Sequence, residues 1–211
     1  TALFRDDPKA VLASSTVSHL GLITFLLGLG TKAAALAAMV HILAHASFKA
    51  ALFLLAGIVD HAAGTRDLRR LGGLRRLMPV SFALALVAGL SMAGVPPLSG
   101  FLSKELMLEE AAHTLWAGTG GLVPVLAMVA AAASVAYSLR LIGATFLGPE
   151  RADYPHPPHE AGPGLLAAPA VLVLLVIATG LMPMALLGPL AALATAAVTG
   201  EAGPVHLALW H

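Results

Sequence analysis

The stretch 91–105 reads SMAGVPPLSGFLSKE and breaks an apolar run, residues 77–103, that holds no Asp, Glu, Lys or Arg. Proline has no backbone N–H to donate and glycine is a poor helix former, so a helix is interrupted inside this run. The residues that interrupt it are Gly94, Pro96, Pro97 and Gly100. Broken helices at membrane depth are tolerated only where they line a cavity or are covered by protein. The stretch therefore predicts a membrane protein with one broken helix.

The remainder of the chain supports a polytopic membrane protein, because a spanning helix needs about 20 mostly apolar residues. Charge is nearly absent from five long stretches, 10–31, 33–59, 77–103, 111–139 and 161–200, in which Lys49 is the one charged residue. We predict an all-α polytopic membrane helix bundle with about six membrane segments. They lie at 10–30, 33–61, 78–94, 100–114, 121–147 and 164–183, and Gly188 and Pro189 indicate a further partial or re-entrant segment before Glu201.

The composition excludes several other classes of protein. Of the 211 residues, 58% are hydrophobic and 11% are charged, whereas soluble domains are about 25% charged. The net charge of +1 leaves no excess for a nucleic-acid partner. The absence of cysteine excludes disulfides, thiolate zinc sites and cysteine-ligated iron–sulfur clusters in this chain. Because it begins at Thr1 without a signal peptide, the chain is expected to be a piece of a longer protein.

A stripe of ionisable residues runs along the second segment. His41, His45 and Lys49 recur every four residues, which places them on one helix face about 6 Å apart along the axis. An ionisable side chain inside a span costs roughly 2.5 kcal/mol or more, so it indicates function by default. The alternative is that the two histidines only bond to neighbouring backbone groups or hydroxyls and Lys49 snorkels. Three groups in register favour a proton path.

Charged residues also follow the helix break directly. Lys104 and Glu105 come immediately after it, and Glu105, Glu109 and His113 then repeat every four residues. Two carboxylates facing each other along a helix favour one of them holding a proton. The alternative is that this helix emerges into water and the charges are solvated. That alternative is favoured for Glu109, Glu110 and His113, and a functional role is favoured for Lys104.

The other polar groups are weaker candidates. Lys9, at the start of the first segment, is either an anchor or a proton relay. The polar run 14–19 favours helix–helix hydrogen bonds over water access. Arg140 is expected to snorkel to the interface, and His156 and His159 lack further ligands, so we predict no metal site.

The linker TRDLRRLGGLRRLMP (65–79) is strongly basic and carries a leucine every third residue. Its arginines are Arg66, Arg69, Arg70, Arg75 and Arg76. Such a segment is expected to lie on the membrane interface, although Gly72 and Gly73 weaken it as a helix. If the first three segments each cross once, this linker and the N-terminus share one side, which the positive-inside rule makes cytoplasmic.

Three motifs in these segments resemble one known family. They are DPKAVLASSTVSHLGL (7–22), HILAHASFKAALFLLAG (41–57) and GVPPLSGFLSKE (94–105). They resemble the antiporter-like proton-translocating membrane subunits found in NADH:quinone oxidoreductase (complex I) and in Mrp-type multisubunit sodium/proton antiporters. Further stretches look most like the Mrp A subunit, namely GIVDHAAGTRDLRRLGGL (57–74), SMAGVPP (91–97) and VHLALWH (205–211).

The resemblance implies a fold of two inverted five-helix repeats, each with one broken helix. This chain is similar to the second repeat (1–147), followed by a polar loop (148–160) and a further helix with a partial segment (161–211). Lys49 matches the mid-membrane lysine of the family, Lys104 the charged residue at the broken helix, and Lys9 the lysine leading into the first segment. The family often has arginine and tyrosine where this chain has Ala10 and Ser14, which weakens the match of Lys9.

The function implied is transport without a cofactor, in which this chain is a proton-translocating fragment of one subunit of a sodium/proton antiporter. Its partners would be the other membrane subunits, protons, sodium or another monovalent cation, and the lipid bilayer of a bacterial inner membrane. One alternative is a proton-pumping membrane subunit of NADH:quinone oxidoreductase, and another is a half-chain that only scaffolds other subunits. The shared motifs do not separate the first two, whereas the GTRD stretch and the terminal LALWH favour the antiporter.

Overall fold

The computed structural model describes residues 1–114, 121–151, 153–200 and 205–207, and the last four residues of the motif VHLALWH lie outside them. The described part of the chain is helical, without a β-strand. A short 3₁₀ turn, Ala2–Phe4, precedes the helices α1 (Pro8–Gly28), α2 (Lys32–Ala63), α3 (Pro79–Ala93), α4 (Ser99–His113), α5 (Leu122–Phe146), α6 (Pro163–Leu181), α7 (Pro183–Leu186) and α8 (Gly188–Thr199).

The helix boundaries follow from local sequence. Proline occupies the first turn of α1, α3 and α6, where its missing N–H has no intrahelical partner to lose. The Asp7 carboxylate caps α1 by accepting from the backbone of Lys9 (2.8 Å) and Ala10 (3.2 Å). Gly64 and Gly94 end α2 and α3 in the left-handed conformation, at φ 66° and 87°. The six segments expected from the sequence are confirmed to within about two residues at each end.

The bundle has the lengths and the surface of a membrane protein. Helices α1, α2, α5 and α6 are long and apolar enough to cross a bilayer, and α3 and α8 are shorter apolar helices. The long helix α2 is central and packs against α1, α3, α4, α6 and α8. Large apolar side chains are exposed on the outer helices, such as Met128 (62%) on α5 and Leu174 (65%) on α6. In a bilayer these side chains face lipid or other apolar partners.

The predicted break separates α3 from α4 and packs closely against neighbouring backbone. Ser91 on α3 bonds through its hydroxyl to the backbone N–H of Gly100 (3.1 Å). A Cβ added to Gly100 would lie 1.8 Å from the Ser91 carbonyl oxygen, so only glycine allows the two helices this close. Helix α6 approaches the break equally closely, because a Cβ on Gly180 would lie 2.1 Å from the Pro97 carbonyl oxygen. Gly100 and the two residues before it are therefore packed against α3 and α6, whereas Val95, Pro96 and Pro97 are exposed.

Between α2 and α3 the basic linker forms turns and not a helix. Leu68, Leu71 and Leu74 are buried, and the Tyr154 hydroxyl accepts from the Gly72 N–H (3.0 Å) and donates to its carbonyl (2.6 Å). Burial raises the pKa of Tyr154, which keeps the phenol protonated and able to donate. The Glu160 carboxylate at the other end of the polar loop accepts from Ser81 at the start of α3. The linker and the loop thus pack together at one end of the bundle.

Candidate functional site

Lys49 is held between the two long N-terminal helices. Its side chain is 4% exposed, and its ammonium donates to the Leu12 carbonyl (3.1 Å) and to the Ser15 hydroxyl, both on α1. Ser15 in turn donates to the same carbonyl (2.9 Å). No carboxylate of a described residue lies within 4.0 Å of the ammonium. The site therefore solvates the lysine with neutral oxygens, without a fixed counter-charge.

Lys104 is held at the helix break. Its ammonium donates to the carbonyls of Met92 (2.9 Å) and Ala93 (2.8 Å) and to the Ser134 hydroxyl on α5. The last carbonyls of a helix lack intrahelical donors and carry the negative end of its dipole, which favours a cation there. Gly94 is required beside it, because an added Cβ would lie 2.6 Å from Lys104 Cδ. The break thus supplies the oxygens that solvate this lysine.

A row of hydrogen bonds lies beside these two lysine sites. The Tyr137 hydroxyl lies 2.9 Å from His19 Nε2, and His19 Nδ1 lies 2.9 Å from His41 Nε2. His41 Nδ1 lies 3.0 Å from the Ser103 hydroxyl, and all four side chains are buried. Ser15 precedes His19 by one turn of α1, and Ser134 precedes Tyr137 by one turn of α5. His19, in the middle of the row, therefore lies near the Lys49 site, and the two ends of the row, Tyr137 and Ser103, lie near Lys104.

The Ser103 hydroxyl determines which atoms donate and which accept along this row. The Ser103 hydroxyl gives its hydrogen to the Gly100 carbonyl (3.1 Å), so it accepts from His41 Nδ1–H. A neutral imidazole carries one N–H, so His41 Nε2 accepts from His19 Nδ1–H, and His19 Nε2 accepts from the Tyr137 hydroxyl. With both histidines neutral, every donor in the row has an acceptor. This assignment of tautomers leaves no buried charge in the row.

His45 lies beside the row. Its ring centroid is 5.1 Å from that of His19 and 6.1 Å from that of His41. Its Nε2 is buried and has no hydrogen-bond partner among the described residues. His45 precedes Lys49 by one helical turn, so an imidazole with a free nitrogen stands between the lysine and the paired histidines.

The structure places the other predicted residues away from this row. Lys9 pairs with Asp60 at the end of the bundle (2.8 Å), and both side chains are about a third exposed (37% and 32%). Glu105 is half-buried on α4 next to Lys104, whereas Glu109 and His113 are exposed, as their solvated interpretation expects. The described residues hold no group of three or more metal-ligating side chains.

Sequence reasoning missed several members of the row. It places His19 among general helix–helix hydrogen bonds and does not single out Tyr137, Ser103 or Ser134. A signal was present on α5, where Ser134, Tyr137 and Ser138 are polar residues at helical spacing in an apolar run. Which helix α5 faces could not be read from spacing alone, since the row joins residues up to 118 positions apart.

Comparison with known proteins agrees with this architecture. The family described as "NADH:quinone oxidoreductase/Mrp antiporter, TM" matches residues 1–131. A probable K(+)/H(+) antiporter A/B subunit of Rhizobium meliloti is 48% identical over all of this chain and 21% of its own length. The A1 subunit of a Na(+)/H(+) antiporter of Staphylococcus saprophyticus is 42% identical over 87% of this chain and 25% of its own.

A solved structure extends the agreement to three dimensions. A chain in the structure of the Mrp complex from Dietzia superimposes on all of this chain with a TM-score of 0.85 and 38% sequence identity, over 22% of its own length. The chain thus spans about a fifth to a quarter of the length of these relatives. Its apolar helices and its bacterial relatives make it a multi-pass protein of the cell membrane. The chain belongs to the NADH:quinone oxidoreductase/Mrp antiporter transmembrane family.

Proposed function

We propose that this chain is the proton-translocating part of one subunit in a monovalent cation/proton antiporter. The observation that carries the proposal is the buried row of hydrogen bonds beside two buried lysines, which a structural membrane helix bundle does not need. Relatives named as potassium/proton and sodium/proton antiporter subunits support the transport class. Since they differ in the cation, either sodium or potassium fits as the exchanged ion.

Protons would move between Lys49 and Lys104 through the imidazoles. When a proton reaches the Tyr137 oxygen, the hydroxyl gives its own proton to His19 Nε2 and stays neutral; the imidazolium so formed releases its Nδ1 proton to His41 Nε2. His41 passes its own Nδ1 proton towards Ser103. His45, with its free nitrogen beside Lys49, can exchange a proton with that lysine. In a low-dielectric interior the charge on one lysine disfavours protonation of the next, so the sites titrate as a coupled set.

Lys9 and Glu105 would serve at the two ends of this path. Lys9 stands one turn before Leu12, whose carbonyl holds Lys49, and its pair with Asp60 reaches water. Glu105 adjoins Lys104 on α4 and is half-buried. In this proposal residues 1–147 form the second of two inverted repeats, and residues 161–211 begin the membrane region after that repeat. The other repeat and the partner membrane subunits complete the transporter.

The test uses the full-length parent subunit with its partner subunits, in everted vesicles from cells that lack other antiporters. The collapse of a pH gradient on adding sodium or potassium is followed for wild type, Lys49→Ala and Lys104→Ala. Lys32→Ala is the matched control, because Lys32 is a half-buried lysine at the start of α2, away from the row. The proposal expects wild type and the control to respond and both other variants to fail.

Two results would contradict the proposal in different ways. If Lys49→Ala and Lys104→Ala match wild type, the row is not the proton path and a scaffold role is favoured. If wild type ignores both cations but supports quinone-linked proton pumping, the chain acts as a respiratory membrane subunit.

A further inference from the structure

An apolar groove lies between α3 and α5 on the outside of the bundle. It encloses about 90 Å³ and is lined chiefly by Leu86, Leu90, Leu139, Ile142, Gly143 and Leu147. Small residues shape it: Gly89 lets α5 approach, since an added Cβ would lie 2.8 Å from Ile142 Cγ1. An added Cβ at Gly143 would meet no atom within 4 Å. The groove follows α5 from Leu139 to Leu147, about 12 Å along the helix axis.

One end of the groove meets the basic linker. The Gly73 N–H donates to the Leu147 carbonyl (3.0 Å), and the Arg75 N–H donates to the Phe146 carbonyl (3.1 Å). Leu74 and Met78 are completely buried on either side of the exposed Arg75 and Arg76. The two arginines therefore stand on a fixed piece of backbone at the end of the groove.

Four other basic residues at this end of the bundle are paired with carboxylates, whereas Arg70 and Arg151 donate to backbone carbonyls. The pairs are Lys9–Asp60 (2.8 Å), Arg66–Asp7 (3.5 Å), Arg69–Asp67 (3.0 Å) and Arg140–Asp6 (2.6 Å). Hydrogen bonds from Arg69 also hold the pKa of Asp67 below its ordinary value. Within the described residues, Arg75 and Arg76 have no carboxylate within 4.0 Å.

We infer that this groove binds an anionic phospholipid, with an acyl chain along α3 and α5 and the phosphate on Arg75 and Arg76. Guanidinium groups form paired hydrogen bonds with phosphate oxygens, and basic residues beside a membrane helix attract anionic lipids. A soluble anion would leave the apolar groove unused.

The experiment counts bound lipid on the full-length subunit with its partners. The complex is equilibrated in nanodiscs of phosphatidylcholine and phosphatidylglycerol, extracted in mild detergent and examined by native mass spectrometry. Wild type is expected to retain phosphatidylglycerol in preference to phosphatidylcholine. The double variant Arg75→Gln/Arg76→Gln is expected to retain about tenfold less phosphatidylglycerol, because the attraction to the headgroup is lost. Gly143→Leu fills the groove and is expected to reduce the retained phosphatidylglycerol to a similar degree.

Two control variants make the same loss of charge and the same addition of bulk outside the proposed site. Arg69→Gln removes an exposed arginine that is already paired with Asp67, and Gly164→Leu adds a leucine at an open glycine in the first turn of α6. Both are expected to retain phosphatidylglycerol like wild type.

Three results would overturn the inference. Equal retention of both lipids by wild type would exclude a headgroup-specific site. A loss in Arg69→Gln as large as in the double variant would indicate attraction by bulk charge. Release of a partner subunit by Gly143→Leu, with phosphatidylglycerol retained, would make the groove a protein interface. The lipid count needs no transport activity, so its outcome is independent of the proposed function.

Discussion

The two buried lysines bind backbone carbonyls from different parts of a helix. Both donate to a serine hydroxyl whose hydrogen is given to the carbonyl three residues earlier, Ser15 to Leu12 and Ser134 to Ala131. The remaining oxygens differ. Lys49 shares the Leu12 carbonyl inside the continuous helix α1, whereas Lys104 takes two end carbonyls of α3.

This difference shows how the helix break contributes. A carbonyl within a helix is already committed to its own hydrogen bond, so the Leu12 oxygen is shared among several donors. The end of α3 offers carbonyls that have no intrahelical donor, together with the negative end of the helix dipole. Breaking a helix at membrane depth therefore makes a stronger cation site than a continuous helix can. We expect the Lys104 site to depend on backbone geometry and the Lys49 site on a side-chain hydroxyl.

The largest effect is expected from Gly100→Ala. The added methyl collides with the Ser91 carbonyl and must push α4 away from α3. This shift moves Lys104 away from the end carbonyls of α3 that bind it. Overpacking of this kind costs about 3 kcal/mol. We expect a lower thermal unfolding temperature of the purified complex and loss of cation-driven proton transport. Gly57→Ala is the matched control, because an added Cβ there meets no atom within 4 Å. Equal behaviour of the two variants would refute the dependence of Lys104 on the break.

A smaller effect is expected from removing the hydroxyl of either lysine-binding serine, and its size should differ between the two. Ser15→Ala leaves Lys49 with one oxygen, whereas Ser134→Ala leaves Lys104 with two. Because a hydrogen bond to a charged group contributes about 1.5–3 kcal/mol, we expect Ser15→Ala to slow transport roughly tenfold. We expect Ser134→Ala to slow it by about threefold or less. Initial rates of pH-gradient collapse measure both. The reverse order would show that end carbonyls do not hold a lysine better than a shared helical carbonyl.

The smallest effect is expected at the outer end of the Lys49 site. Lys9→Gln removes a partly exposed ion pair with Asp60, and such pairs contribute about 1 kcal/mol or less to stability. Water can take over a relay role at an exposed position, so transport should fall by less than about threefold. Asp60→Asn is the companion variant and should behave alike. A complete loss of transport in Lys9→Gln alone would place Lys9 among the indispensable proton carriers.

Much of the bundle could be predicted from sequence because membrane depth constrains it strongly. Runs free of charge set the helix positions, and the glycines and prolines of residues 94–100 set the break. The four-residue spacing of His41, His45 and Lys49 set one face of α2. These are local signals, which a single sequence displays directly.

The rest of the site depends on which helices meet. His19, Tyr137 and Ser103 come from α1, α5 and α4, and no spacing rule relates residues on different helices. The carbonyls that bind Lys104 belong to the backbone and have no residue signature. Close approach at Gly100 and Gly180 brings these helices together, and this role was visible only in three dimensions.

Tyr137→Phe tests most directly whether the row of hydrogen bonds beside the two lysines carries protons. The change removes one hydroxyl, keeps the ring, and leaves His19 Nε2 without its donor. We predict that cation-driven collapse of the pH gradient slows about tenfold, while the unfolding free energy changes by about 1 kcal/mol. Transport at the wild-type rate in a correctly assembled Tyr137→Phe complex would contradict a proton path through this row.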